Sequence, residues 1–151
     1  MDEGLIEGVI LTPLKVINVP GGDVLHAMKS GDSGFKNFGE AYFSTIEFGV
    51  IKAWKSHRDM TLNIVVPVGK INFVMFDSRY RTSSHGLFQS VSLSRDNYAR
   101  LTIPPMVWVG FQGIGEDFNL LLNMADLPHS HNEVDRKNIS EINYDWSSNK
   151  H

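Results

Sequence analysis

The sequence predicts an all-β fold, a sandwich or small barrel of jelly-roll type with at most short helices. Turn chemistry recurs about every eight to twelve residues, the spacing of short strands in such folds. The apolar runs between turns have strand length and are rich in Val, Ile and aromatic residues. Only VLHAMKSG (24–31) reads as a helix, and it is short.

In chain order, an extended piece GVILTPLKVINV (8–19) is followed by the Gly-rich turns PGGD, KSGDSG and NFGE. AYFSTIEFG (41–49) and GVIKAW (49–54) then read as strands. TLNIVV (61–66) and INFVMFD (71–77) form a pair joined around Pro67-Val68-Gly69-Lys70. LFQSVSLS (87–94) is another strand, and SRDN turns the chain into YARLTIP (98–104). VWVGFQG (107–113) and FNLLLNMA (118–125) complete the set, the latter with an apolar run too short for a helix. The tail 147–151, SSNKH, is expected to fray.

Composition narrows the function classes. A chain of 151 residues with 42% apolar and 11% aromatic content suffices for one domain with a real core, spanning 1–151. Lys plus Arg (14) nearly balance Asp plus Glu (17), so the net charge of −3 offers no footprint for nucleic acid or a membrane surface. No cysteine is present, which excludes a disulfide framework and thiolate zinc sites. The N-terminal residues lack the basic and apolar regions of a signal peptide, and no run is long enough to span a bilayer. A cytoplasmic location is the expectation.

Three polar groupings stand out. Lys52, Lys55, His57, Arg58 and Asp59 crowd one strand end. Strict alternation puts Ile51, Ala53, Lys55 and His57 on one face and Lys52, Trp54 and Ser56 on the other. Lys55 and His57 side by side would disfavour each other's protonation and poise a base near neutrality, whereas a solvated strand end is the competing reading. LPHSHNE (127–133) brings His129, His131 and Glu133 to a spacing seen among metal ligands, or else forms an exposed loop. FDSRYR (76–81) ends a strand with Asp77, Arg79 and Arg81, which could present guanidinium forks to a diphosphate or form a surface ion pair. No phosphate loop, nucleophile elbow or dinucleotide fingerprint is present.

Taken in order, IEGVILTPLKVI (6–17), YFSTIEFGVIKAW (42–54), VVPVGKINFVMFDSR (65–79), VSLSRDNYARLTIPPMVWVGF (91–111) and EINYDW (141–146) resemble the dTDP-4-dehydrorhamnose 3,5-epimerase family of cupins. The resemblance runs from Ile6 to Trp146. It implies a cupin-type jelly-roll barrel, a homodimer, a nucleotide-sugar substrate held in the barrel, and no metal or other cofactor. The family's diphosphate-contacting arginine matches Lys52. Its catalytic histidine matches Lys55 in an ungapped reading, or His57 if two residues are inserted. The family's histidine before Gly-Phe matches Val109, and its proton-donating tyrosine falls near Leu121 or Leu122. Asp77 and Arg79 match its Asp-x-Arg. The resemblance therefore makes Lys55, His57 and Asp77 the catalytic candidates, with Lys52, Arg79, Arg81, Trp108 and His129 as substrate-binding candidates. KAWKSHRDMTLNIVVPVG (52–69) is also similar to a sub-branch associated with surface-polysaccharide gene sets.

Three functions follow as expectations. The first is an epimerase or isomerase acting on a nucleotide-diphosphate-linked 4-keto-6-deoxy sugar. The second is a cupin that binds sugar nucleotides without chemistry. The third is a metal-dependent cupin using His129 and His131.

Overall fold

The computed structural model describes residues 2–3 and 5–149. Its strands are β1 (Asp2–Glu3), β2 (Ile10–Pro13), β3 (Val16–Ile17), β4 (Val24–Leu25), β5 (Glu40–Thr45), β6 (Ile51–His57) and β7 (Leu62–Val68). They continue with β8 (Lys70–Asp77), β9 (Phe88–Ser94), β10 (Ala99–Ile103), β11 (Val107–Gly113), β12 (Leu120–Ala125) and β13 (Val134–Arg136). Short 3₁₀ turns at His131–Glu133, Ile139–Glu141 and Trp146–Asn149 are the helical elements among the described residues. No helix among these residues is long and apolar enough to cross a membrane.

The strands form a six-stranded sheet in the order β1-β2-β10-β7-β12-β5 and a five-stranded sheet in the order β13-β6-β11-β8-β9, with a small β3-β4 ribbon. Pairing within both large sheets is antiparallel. Alternating residues meet between the sheets. Ile64, Val66, Leu101 and Ile103 come from one side, and Ile71, Phe73, Met75, Leu93 and Val107 from the other. Each such side chain contributes about 1.5–3 kcal/mol of burial. This is the cupin-type jelly roll that the strand spacing and the resemblance imply.

The hairpin expected around Pro67 to Lys70 joins β7 to β8. Gly69 there has φ of 81°, and a Cβ would strike the backbone of Phe118 and Asn119, so the turn requires glycine.

VLHAMKSG is not a helix. Val24 and Leu25 form β4, and irregular chain follows. Its carbonyls find distant partners instead. The Tyr98 hydroxyl donates to His26 O at 2.7 Å, and the Arg100 guanidinium donates to Ala27 O at 2.8 Å and, just beyond the segment, to Ser33 O at 3.0 Å. Tertiary hydrogen bonds replace the ones a helix would have made.

A second apolar cluster covers the outer face of the five-stranded sheet. Trp54 and Val74 pack there beneath Ile142 and Trp146 of the C-terminal segment, with the Trp54 and Trp146 rings 5.4 Å apart. Residues 150 and 151 of the tail expected to fray lie outside the described residues.

Candidate active site

The site begins with an irregularity in β6. Val109 of β11 pairs with Lys55, yet Phe111 pairs with Lys52, so β6 carries one extra residue between them. Ala53 and Trp54 both turn outward at this bulge. Gly110 faces them, and a Cβ there would come within 2.7 Å of the Ala53 Cβ. Lys52 therefore lines the same cavity as Lys55 and His57. This corrects the strict alternation, which placed Lys52 on the opposite face. Outward burial of Trp54, whose indole donates to Ile139 O at 3.3 Å, holds the arrangement.

The cavity opens between the two sheets and measures about 730 Å³. Lys52, Lys55, His57, Phe73, Val109 and Phe111 form one wall, and Tyr42, Ser44, Leu62, Ile64, Leu121 and Asn123 form the other. His129, Arg136, Lys137, Asn138 and Glu141 complete the lining. An apolar interior with a few convergent polar groups is the usual character of a small-molecule site.

His57 is buried, and its Nδ1 lies 2.6 Å from Glu133 Oε1. The other carboxylate oxygen, Oε2, accepts the backbone N–H of Asp59 at 2.8 Å and of Met60 at 3.0 Å. Burial works against the Glu133 charge. The hydrogen bonds from Asp59, His57 and Met60 outweigh it and hold the carboxyl below its usual range. An ionised Glu133 keeps the imidazole proton on Nδ1, leaving the lone pair of Nε2 available to the cavity. Pairing of β13 with β6 brings the two together, with Val134 opposite His57 and Arg136 opposite Lys55.

Three cations share this region. Lys52 Nζ donates to Thr45 O at 3.2 Å. Lys55 is shifted below the usual lysine value, first by burial and then by the charges of Arg136 and Lys52. Arg136, which sequence reasoning did not single out, lies on the neighbouring strand. A cluster of like charges at a cavity is an anion site in waiting.

The other sequence candidates are placed elsewhere. Asp77 ends β8, separated from β6 by β11, and is not in the cavity lining. Its oxygens accept from Arg79 Nε at 2.8 Å, Arg79 Nη2 at 3.0 Å, Thr82 Oγ1 at 2.7 Å and Ser84 Oγ at 2.6 Å. Burial opposes its charge, but these bonds, led by Arg79, hold the carboxyl far below the usual range. With its lone pairs so occupied, Asp77 is not free to move a proton. Arg79 also donates to Glu7 O at 2.6 Å. Arg79, Arg81 and Trp108 line a separate recess on the outer face of the sheet, with Trp108 Nε1 donating to Ser78 Oγ at 3.2 Å. They line a different recess from Lys52 and His57, and the Arg79 guanidinium is in addition engaged by Asp77.

His129, a substrate-binding candidate of the sequence, lines the same cavity as Lys52, Lys55 and His57. The metal-ligand grouping of His129, His131 and Glu133 does not form, since Glu133 is committed to His57. Among the described residues no group of three or more His, Asp or Glu could hold a metal ion.

Leu121 faces the cavity, but the phenol present there is Tyr42, from β5. Its hydroxyl accepts from Asn123 Nδ2 at 3.0 Å. Neither residue carried a sequence signal, because they meet only when β5 pairs with β12.

No family model matches the chain. Among solved structures, a dTDP sugar isomerase from Desulfovibrio desulfuricans is 38% identical, with a TM-score of 0.93 over 97% of this chain and 96% of that one. This chain belongs to the cupin family of dTDP-4-dehydrorhamnose 3,5-epimerases and related dTDP-sugar isomerases. Within that family, the dTDP-4-dehydrorhamnose 3,5-epimerase of Sulfolobus tokodaii is 25% identical, with a TM-score of 0.81 over 94% of this chain and 84% of that one. A probable low-salt glycan biosynthesis epimerase of Haloferax volcanii is 28% identical over 116 residues, 74% of each protein.

Proposed function

We propose that this protein is an epimerase or isomerase acting on a dTDP-linked 4-keto-6-deoxy sugar in surface-polysaccharide biosynthesis. The observation that carries this reading is the His57–Glu133 pair facing a cavity that also holds Lys52, Lys55 and Arg136. A C–H next to a ketone is weakly acidic, and a base within hydrogen-bond reach can remove its proton and leave an enolate. His57 Nε2 is that base, and Glu133 stabilises the imidazolium that forms. Returning a proton to the same carbon from the opposite face inverts it, and returning one elsewhere along the enediol moves the ketone. The Lys52, Lys55 and Arg136 side chains hold the diphosphate, with His129 at the rim as a further contact. Family membership supports the nucleotide-sugar substrate and a homodimer, and a cytoplasmic location suits a soluble substrate of this kind.

The test is incubation with dTDP-4-keto-6-deoxyglucose in heavy water, read by NMR. Deuterium is expected at C3, C5 or both. Binding seen by calorimetry without exchange, on this and other keto-sugar nucleotides, would leave a binding protein in place of an enzyme.

Lys55→Met is expected to raise KM by about 10-fold or more, the loss of one charged hydrogen bond, with a smaller change in kcat. Because the Lys55 pKa is lowered, the wild-type KM should begin to rise with pH before an ordinary lysine would deprotonate, and the variant should lack that rise. Steady-state kinetics across the alkaline range check both.

A further inference from the structure

We infer that the recess on the outer face of the five-stranded sheet is a second ligand site, and that it takes a nucleoside diphosphate, free or sugar-linked. The inference stands apart from the keto-sugar chemistry, which uses the other face of the same strands.

The recess measures about 790 Å³, and it shares three strands with the cavity between the sheets as a common wall. Alternation divides the side chains of that wall. On β6, Lys55 and His57 face the cavity and Ser56 faces the recess; on β11 the division falls between Val109 and Trp108, and on β13 between Arg136 and Asp135. Met106 joins the two sides, its side chain lining the recess while its N–H donates to His57 O at 2.6 Å. Its φ of 70° lies in the left-handed region that favours glycine. A half-exposed methionine in that conformation supplies an apolar contact that glycine could not, and backbone strain of this kind gathers at ligand sites.

Several groups in the recess lack the partners a finished surface would give them. Ser56 is only 3% exposed, yet no hydrogen bond engages its hydroxyl among the described residues. The Arg81 guanidinium has no ion-pair or hydrogen-bond partner among them either. Lys137 Nζ lies 5.2 Å from the centroid of the Trp108 ring, and Tyr80 is 92% exposed with its ring stacked on His85. The lining acids do not neutralise these cations. Asp135 accepts from Arg58 Nε at 3.2 Å and Nη2 at 2.9 Å, Asp77 engages Arg79, and Glu141 Oε2 accepts the Asn138 N–H at 2.6 Å. With the two ion pairs cancelled, Lys137 and Arg81 face the single charge of Glu141, so the recess is net positive. A hydroxyl, an ammonium and a guanidinium suit phosphate oxygens, and the indole and phenol rings suit a flat base. A nucleoside diphosphate carries both parts, whereas pyrophosphate lacks the ring and a neutral sugar lacks the charge.

The experiment titrates dTDP into the full chain and follows two NMR signals, the Trp108 indole N–H for the recess and the His57 ring for the cavity. Trp108→Phe identifies the first by its loss. The Trp108 signal is expected to move saturably, with a midpoint below about 1 mM dTDP. Arg81→Glu should raise that midpoint about 10-fold or more, the loss of a charged hydrogen bond, and leave the His57 midpoint unchanged. Lys55→Met should do the reverse. A lower midpoint with dTDP-glucose than with dTDP assigns the sugar-linked form, and the opposite order assigns the free one. A Trp108 signal that does not move overturns the inference. So does a midpoint shared with His57 and indifferent to Arg81→Glu, because the recess would then only relay binding in the cavity. Pyrophosphate acting as well as dTDP means an anion surface that reads no base, and movement with maltose or with protein concentration alone means a glycan surface or a second copy; each of these overturns it too. Failure of deuterium exchange on a keto-sugar nucleotide would remove the proposed enzyme activity and leave the Trp108 result standing.

Discussion

His57→Asn is expected to lower kcat by about 10³-fold, with the fold retained and nucleotide affinity nearly unchanged. An asparagine can still hydrogen-bond to Glu133 but offers no nitrogen lone pair of useful basicity. Glu133→Gln should be nearly as severe, by about 10²-fold or more, for a reason read directly from the geometry. The N–H groups of Asp59 and Met60 both point at Glu133 Oε2 and require an oxygen there. A glutamine must satisfy them with its carbonyl, which turns its NH2 toward His57 Nδ1. That nitrogen then becomes the acceptor, the ring proton moves to Nε2, and the base is lost although the ring has not moved. Stopped-flow or steady-state kinetics with calorimetric binding of dTDP separate kcat from affinity. An active Glu133→Gln variant would mean that the carboxylate serves only to hold the chain.

Asp77→Asn should be the most destabilising single substitution among the candidate residues. The carboxylate is fully buried and accepts from Arg79, Thr82 and Ser84 at once. An amide of the same shape would turn an NH2 toward donors and leave Arg79 short of its counter-charge. Removing one partner of a buried ion pair costs about 3–5 kcal/mol. For a chain of this length that lowers the melting temperature by about 10 °C or more. The sign of the pH dependence follows from the carboxyl's depressed folded-state value. Its stabilisation is fully present above the unfolded carboxylate pKa of about 4 and is lost as pH falls toward the folded-state value. The gap between wild type and variant should therefore narrow in acid, and thermal melts at neutral and acidic pH test this. Kinetics on the folded variant should show little loss, in contrast with His57→Asn.

The strands were legible because their signals are local. Period-two apolar runs between Gly, Pro and Asn turns mark β5 through β12 without reference to anything distant. The segment 24–31 misled because the groups that hold it, Tyr98 and Arg100, lie more than 70 residues away. The site was half legible. The crowding of Lys52, Lys55 and His57 located one wall, but a one-residue bulge decided that Lys52 faces inward. Glu133 was noticed only as a neighbour of His129 and His131, because its real partner lies 76 positions away. Asp77 and Arg79 are legible in the sequence as neighbours, but sequence spacing cannot say whether a guanidinium is free or, as here, engaged by the carboxylate beside it.

The amino-acid sequence by itself determined the all-β architecture, the order of the strands and the stretch in which cationic and imidazole groups gather. Those properties depend on alternation and turn chemistry within a few residues. Tertiary structure alone decided which nitrogen of His57 is bare, which of the cations share a cavity, and that Tyr42 and Asn123 face them. Each of those depends on hydrogen bonds between strands remote in the chain, where pairing register and the single donor of a backbone N–H leave one arrangement.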